Sequence, residues 1–190
     1  KEELKKLRRI DSFLQGHPSR DKIPGVDMST GSLGQGLSAA NGMAMAAKAD
    51  KKDYRVYCIC GDGELQEGQI WEAAMTAAHY KLDNLTLFVD CNGLQIDGKV
   101  EDVMNVAPVS DKFQAFGWKV LEVNGHDIAA IDQAVEKAKA LKESPTVIVC
   151  KTTKGKGISF MENQAGWHGA APDEQQFKTA MEDLKRQGGL

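Results

Sequence analysis

A chain of 190 residues can build one domain with a substantial core and falls short of two. Hydrophobic residues make up 42% and charged residues 27%, as in ordinary globular proteins, and no apolar run reaches membrane-spanning length. The formal net charge of −3, from 24 basic and 27 acidic residues, offers no basic excess for nucleic acid or a membrane surface, although backbone N–H groups and a metal ion can hold phosphate without one.

Residues 1–15 (KEELKKLRRIDSFLQ) space Leu4, Leu7, Ile10 and Leu14 as a helix does, and predict a first helix. Residues 16–36 are rich in Gly, Pro and Ser and read as a loop. Small apolar residues at 37–49 suit a closely packed buried helix. YRVYCIC (54–60) predicts a strand buried on both faces, residues 68–81 a helix, and LTLFVD (85–90) a second buried strand. The stretch with GLQIDGKVED reads as a loop, 110–118 as a short helix and 118–124 as a strand. Residues 128–143 form an amphipathic pattern with Asp127 placed to cap its start, 146–152 another buried strand, and 173–187 a last helix. Strands alternating with helices imply an α/β fold: one doubly wound domain over residues 1–190, its mainly parallel sheet covered by helices on both faces. No repeat, low-complexity run or linker divides it.

Cys58, Cys60 and Cys150 lie in apolar runs, Cys91 directly follows one, and no secreted-type spacing links them. They predict reduced thiols packed in a core, in a cytoplasmic protein. No signal peptide is visible at the start, which begins at Lys1.

In an open parallel sheet, ligands bind beyond the carboxyl ends of the strands. There, strand 54–60 runs into Gly61-Asp62-Gly63 and strand 85–90 into Asp90-Cys91-Asn92-Gly93, with one helix between. A right-handed crossover brings both loops to one sheet edge. A carboxylate, an amide oxygen and a backbone carbonyl suit a hard cation such as Mg²⁺, which keeps positions open for phosphate oxygens. The glycines flanking Asp62 admit a diphosphate close to the backbone, and the helix starting near Gly68 directs its positive end to the same edge. An Asp-Gly pair alone is a common turn; the strand context at two successive strand ends makes the pattern specific.

Gly61-Asp62-Gly63 followed by Asn92 resembles the thiamine-diphosphate motif, and GDGELQEGQIWEA is similar to transketolases in particular. STGSLGQGLSAANGMAMA (29–46), GHP (16–18), KTTKGKG (151–157) and WHG (167–169) carry the same resemblance, in order, over about residues 10–185. It implies thiamine diphosphate with Mg²⁺, for which Ca²⁺ or Mn²⁺ can substitute. Asp62 and Asn92 would ligate the metal by side chain and Leu94 by its carbonyl. Gly63 would contact the diphosphate, and Gly31, Ser32 and Leu33 would line the cofactor near its aminopyrimidine. Lys154 and His168 would reach the cofactor, with His168 close to the diphosphate. His17 would face the donor sugar. Glu67 would lie at a subunit contact, coupled to the catalytic glutamate of a partner domain. His79 and His126 read as structural, and Met43 and Met45 as core.

The resemblance further implies a two-carbon ketol transfer between ketose and aldose phosphates, as in the pentose phosphate pathway. The pyrimidine-binding domain and a Ser-Lys-Gly-His segment that supplies another active-site histidine are absent from the 190 residues. Either the enzyme is split, with this chain as its N-terminal section and a C-terminal section as partner, or the chain is part of a longer one. A homodimer or heterotetramer is expected, with no turnover by this chain alone. The rivals are a deoxyxylulose-phosphate synthase or 2-oxo-acid dehydrogenase E1 component, and a non-catalytic cofactor-binding or regulatory subunit. ELQEG and SLGQG argue against the first group.

Overall fold

The computed structural model describes residues 1–188. In chain order its elements are α1 (Gln35–Ala49), β1 (Val56–Gly61), α2 (Gly68–His79), β2 (Leu85–Cys91), a hairpin of β3 (Leu94–Gln95) and β4 (Gly98–Lys99), α3 (Val100–Met104), α4 (Val109–Ala115), β5 (Lys119–Asn124), α5 (Ile128–Ala140), β6 (Thr146–Lys151) and α6 (Glu174–Arg186). Short 3-10 turns occupy Glu2–Lys6, Gly63–Gln66 and Ala165–His168. The main sheet runs β1-β2-β6-β5, every pair parallel.

Successive side chains of a strand point to opposite faces, so the apolar runs of β2 and β6 feed two layers. On one face Val56, Cys60, Leu87, Val89, Val147 and Val149 pack with Leu37, Ile70, Ala74 and Phe113 from α1, α2 and α4. On the other, Phe88, Leu121, Val123, Ile148 and Cys150 meet Ala134 and Val135 of α5. The small residues of α1 and α2 let these helices lie close together, and Asn41 Nδ2 of α1 donates to Ala73 O of α2 at 2.8 Å. A side chain as fully buried as Leu87 contributes about 2 kcal/mol by leaving water. Asp127 caps α5 as expected, its Oδ1 accepting from Ala130 N–H at 3.0 Å. The doubly wound α/β expectation holds, and the four cysteines are all unpaired thiols.

Three expectations yield to the structure. Residues 1–15 do not form a helix: only the turn Glu2–Lys6 is regular, and Arg8 and Asp11 adopt positive φ. Leu4, Leu7 and Ile10 are 68%, 54% and 93% exposed, so their helical spacing meets no surface, and a short helix without packing is not stable. β1 is buried on one face only, with Tyr57 and Ile59 exposed on the other. It is an edge strand, and the α5 layer covers β5, β6 and β2 instead. Finally, the stretch read as a loop after β2 contains the β3–β4 hairpin and the single-turn helix α3.

Candidate cofactor and metal site

Because the strands are parallel, all their carboxyl ends share one edge. The β1–α2–β2 crossover packs on one face of the sheet and β5–α5–β6 on the other, so the winding reverses between β2 and β6. Such a switch point opens a crevice. A cleft of about 640 Å³ lies there, lined among others by Asp62, Asn92, Gly93, Leu94, Lys99 and Lys151.

Asp62 follows β1 directly and is only 5% exposed. Its backbone N–H donates to Asp90 O at 3.0 Å. Its Oδ1 accepts from Gly63 N–H at 2.9 Å and its Oδ2 from Gly93 N–H at 2.7 Å, which ties the turn after β1 to the turn after β2. Burial pushes its pKa up, the two N–H groups oppose that rise, and the charge of Asp90 adds to it. An ionised carboxylate in this position is therefore short of positive charge, which a divalent cation supplies. Asn92 Oδ1 accepts from Leu94 N–H at 2.9 Å across Gly93, which takes φ +74°. That bond fixes the amide and leaves its oxygen a second lone pair. Among the described residues no three His, Cys, Asp or Glu side chains cluster as metal ligands. One carboxylate, one amide oxygen and one carbonyl match the donor set of Mg²⁺ completed by phosphate oxygens and water. A Cβ at Gly63 would sit 2.9 Å from Gln95 Cβ, so only glycine fits between the turn and the hairpin.

His17, Gly31, Ser32 and Leu33 form a second group. Gly31 to Leu33 line a smaller pocket of about 160 Å³ together with Ile59 and Glu64. Gly31 has φ +123°, and a Cβ there would come within 2.5 Å of His17 Cγ, so the exposed imidazole lies directly on the Gly31 backbone. Glu64 joins the two groups: its Oε1 accepts from Gly34 N–H at 2.9 Å and its Oε2 from Gly61 N–H at 3.3 Å. Sequence reasoning missed Glu64; its only signal is an acidic residue inside the GDGE run. Glu67 is exposed beside Gly34 and precedes α2 without capping it by side chain, so its carboxylate stays free to meet another surface.

The loop after β6 closes over the same edge. Thr152 N–H donates to Cys91 O at 3.2 Å, and its hydroxyl bonds the Asp90 carboxylate. Asn163 N–H returns to Lys154 O at 3.0 Å. Asp183 of α6 accepts from both N–H and hydroxyl of Ser159, at 2.9 and 2.6 Å. His168 is exposed on the turn Ala165–His168, which packs against the β3–β4 hairpin and is anchored by Trp167 Nε1 donating to Phe160 O at 3.1 Å. Neither Lys154 nor His168 lines the cleft beside Asp62; Lys99, Lys151 and Asn163 do. His126, read as structural, accepts at Nε2 from Thr153 N–H at 2.7 Å.

The fold and this edge define the class first: a doubly wound α/β domain with an oxygen-donor crevice at its switch point. The chain belongs to the family Transketolase, thiamine diphosphate binding domain, which it matches over residues 1–187. It is 45% identical over 178 residues to one of the subunits of the apulose-4-phosphate transketolase of Phocaeicola vulgatus, covering 94% of this chain and 63% of that one. It is 44% identical to the 6-deoxy-6-sulfo-D-fructose transketolase subunit SqwG of a Clostridium species, covering 97% and 67%, and 46% identical to human transketolase, covering 88% and 26%. The crystal structure of transketolase from Campylobacter jejuni superposes with a TM-score of 0.91 at 41% identity, covering 97% of this chain and 30% of that one. The chain thus spans roughly two-thirds of the subunit relatives and about a quarter of human transketolase.

Proposed function

We propose that this chain is the diphosphate-binding part of a transketolase. With thiamine diphosphate, Mg²⁺ and a partner that carries the pyrimidine-binding domain, it moves a two-carbon ketol unit from a ketose phosphate to an aldose phosphate. The observation that carries the proposal is the buried Asp62 carboxylate, bound to both glycine turns and facing the switch-point crevice. The relatives named as subunits of apulose-4-phosphate and sulfofructose transketolases support an enzyme divided between chains.

Bound thiamine diphosphate supplies the carbon nucleophile that takes up and releases the two-carbon unit. This chain binds and orients. Asp62 and Asn92 hold the cation by side chain and Leu94 by its carbonyl. Gly63, without a side chain, lets diphosphate oxygens approach the backbone. Lys154 and His168, which do not line the cleft beside Asp62, would reach the cofactor from the loops after β6, with His168 close to the diphosphate. Gly31, Ser32 and Leu33 present a small-residue wall to the aminopyrimidine, and His17, lying on Gly31, is placed to hydrogen-bond a hydroxyl of the donor sugar. The exposed carboxylate of Glu67 faces the partner, in a homodimer or a heterotetramer. Four unpaired thiols suit the reducing cytoplasm.

The test is reconstitution of the chain with its partner section, followed by a substrate panel of ketose and aldose phosphates against pyruvate. Ketol transfer by the mixture and by neither component alone is the expected result. Turnover of pyruvate instead would move the assignment to another branch of thiamine-diphosphate chemistry, and activity unchanged by Asp62→Ala would favour a non-catalytic role for this chain.

A further inference from the structure

In the proposed function one ligand spans two groups of residues from separate segments of the chain, the turns around Asp62 and the small-residue wall at Gly31, Ser32 and Leu33. The wall precedes α1 and its own ties are weak. Thr30 N–H donates to Pro18 O at 3.3 Å and Gln35 N–H to Ser32 O at 3.4 Å, and neither bond reaches the sheet. Among the described residues, the hydrogen bond that joins this segment to the sheet edge comes from Glu64, whose Oε1 accepts from Gly34 N–H at 2.9 Å. Its Oε2 accepts from Gly61 N–H at 3.3 Å, at the end of β1 and one residue before Asp62. Glu64 also lines the pocket of Gly31 to Leu33. One side chain therefore touches both ends of the site.

The start of α1 explains why the bond falls there. Gly34 is the N-cap residue, at φ +80°, and has no side chain with which to cap the helix. In a capping box the third helical residue, Glu or Gln, reaches back to the N-cap N–H. Here that residue is Leu37, fully buried in the core, so Glu64 supplies the missing acceptor from the turn Gly63–Gln66. The positive end of α1 favours its charge. The approach is close: a Cβ at Gly34 would sit 2.9 Å from Cβ of Glu67, three residues beyond Glu64. Other contacts hold the starts of α1 and α2 together without Glu64. Gln35 Nε2 donates to Gln69 Oε1 at 2.7 Å, and Gln69 Nε2 to Ser38 Oγ at 3.0 Å. Asp62 likewise keeps its own bonds to Gly63 and Gly93. Loss of the Glu64 carboxylate thus frees the wall and leaves the helices and the Asp62 turn in place.

We propose that Glu64 is a positioning residue that holds the Gly31–Leu33 wall at a fixed separation from the Asp62 turn, so that thiamine diphosphate meets its aminopyrimidine and diphosphate contacts together. This rests on the cofactor reading above.

Two ligands separate this role from general support. In the proposed function inorganic pyrophosphate with Mg²⁺ engages only the diphosphate end, and thiamine diphosphate with Mg²⁺ engages both. Each is titrated by calorimetry into the complex of full chain and partner section, for the parent, Glu64→Ala and Glu64→Gln. Glu64→Ala is expected to weaken thiamine diphosphate about tenfold, as loss of the two bonds would, and to leave pyrophosphate within about twofold. Glu64→Gln keeps one accepting oxygen and recovers part of the lost affinity. On the cofactor-free chain, amide hydrogen exchange in Glu64→Ala should be faster at Gly34 and unchanged at Leu87 in the core. Equal weakening of both ligands in Glu64→Ala would make Glu64 a general support and overturn the proposal. Unchanged thiamine diphosphate binding, or unchanged exchange at Gly34, would overturn it too. A parent complex that binds no thiamine diphosphate would instead overturn the cofactor reading, and this proposal with it.

Discussion

The edge at the ends of β1 and β2 and the stretch before α1 both carry expected site residues, but they are built in different ways. At the edge, two glycine turns are bound to each other through one buried carboxylate, directly above the packed layer of Leu87, Val89 and Val147. Before α1, Leu4, Leu7 and Ile10 face solvent, regular structure is limited to the turn Glu2–Lys6, and His17 is placed through contact with the Gly31 backbone. The end proposed to hold diphosphate and metal is thus fixed by this chain's own core. The end around His17 has much less of the core beneath it, and in the proposed function it faces the sugar and is completed by the partner.

The contrast can be broken first at the core. Phe113 is fully buried between Trp71, with ring centroids 5.2 Å apart, and Trp118, at 5.4 Å. Phe113→Ala is expected to cost about 3–5 kcal/mol in denaturant unfolding, since it leaves a cavity beneath the sheet. A loss below about 1 kcal/mol would mean that this layer does not support the edge as described.

A smaller effect is expected at the clamp from α6. The hydroxyl and then the backbone N–H of Ser159 hold the Asp183 carboxyl below the ordinary carboxylate range, with Arg186 adding to this. Its folded-state pKa is therefore depressed relative to the unfolded chain. The stability it contributes is fully present above the ordinary range and is lost as pH falls through the folded value. Asp183→Asn should melt lower than the parent at neutral pH, with the two melting curves converging on acidification. A gap that persists in acid would assign the effect to packing instead of charge.

The smallest effect belongs to the other region. Serine at Leu4, Leu7 and Ile10 together should change the stability of the isolated chain by less than about 0.5 kcal/mol per site, because these side chains are more exposed than covered and none belongs to the core. A larger loss, measured by thermal melting, would show that the segment packs on the domain after all.

Much of this was legible in the sequence, for identifiable reasons. The runs at 85–90 and 146–152 announce strands buried on both faces because β2 and β6 are central, and Asp127 announces the start of α5 by its capping chemistry. The pairing of Asp62 with Asn92 follows from parallel strand ends, which any two consecutive βα units share. What the sequence hid depends on neighbours. An edge strand has the same apolar composition as a central one, so the exposure of Tyr57 and Ile59 could not be read from VYCIC. Helical spacing at 1–15 says nothing of whether a surface waits for it. Glu64 and His126 act through backbone amides of Gly34 and Thr153, distant in sequence, and a lone Glu or His carries no periodicity to mark such a bond.

The most direct test of the central claim, that Asp62 anchors a cation-bound diphosphate at the switch point, is calorimetric titration of Mg²⁺ with thiamine diphosphate into the chain mixed with its partner section, repeated with Asp62→Ala. The account predicts saturable binding that requires the metal and is weakened at least about a hundredfold by the substitution, the scale expected when a metal ligand is removed. Equal binding by parent and Asp62→Ala, or binding indifferent to Mg²⁺, would contradict it.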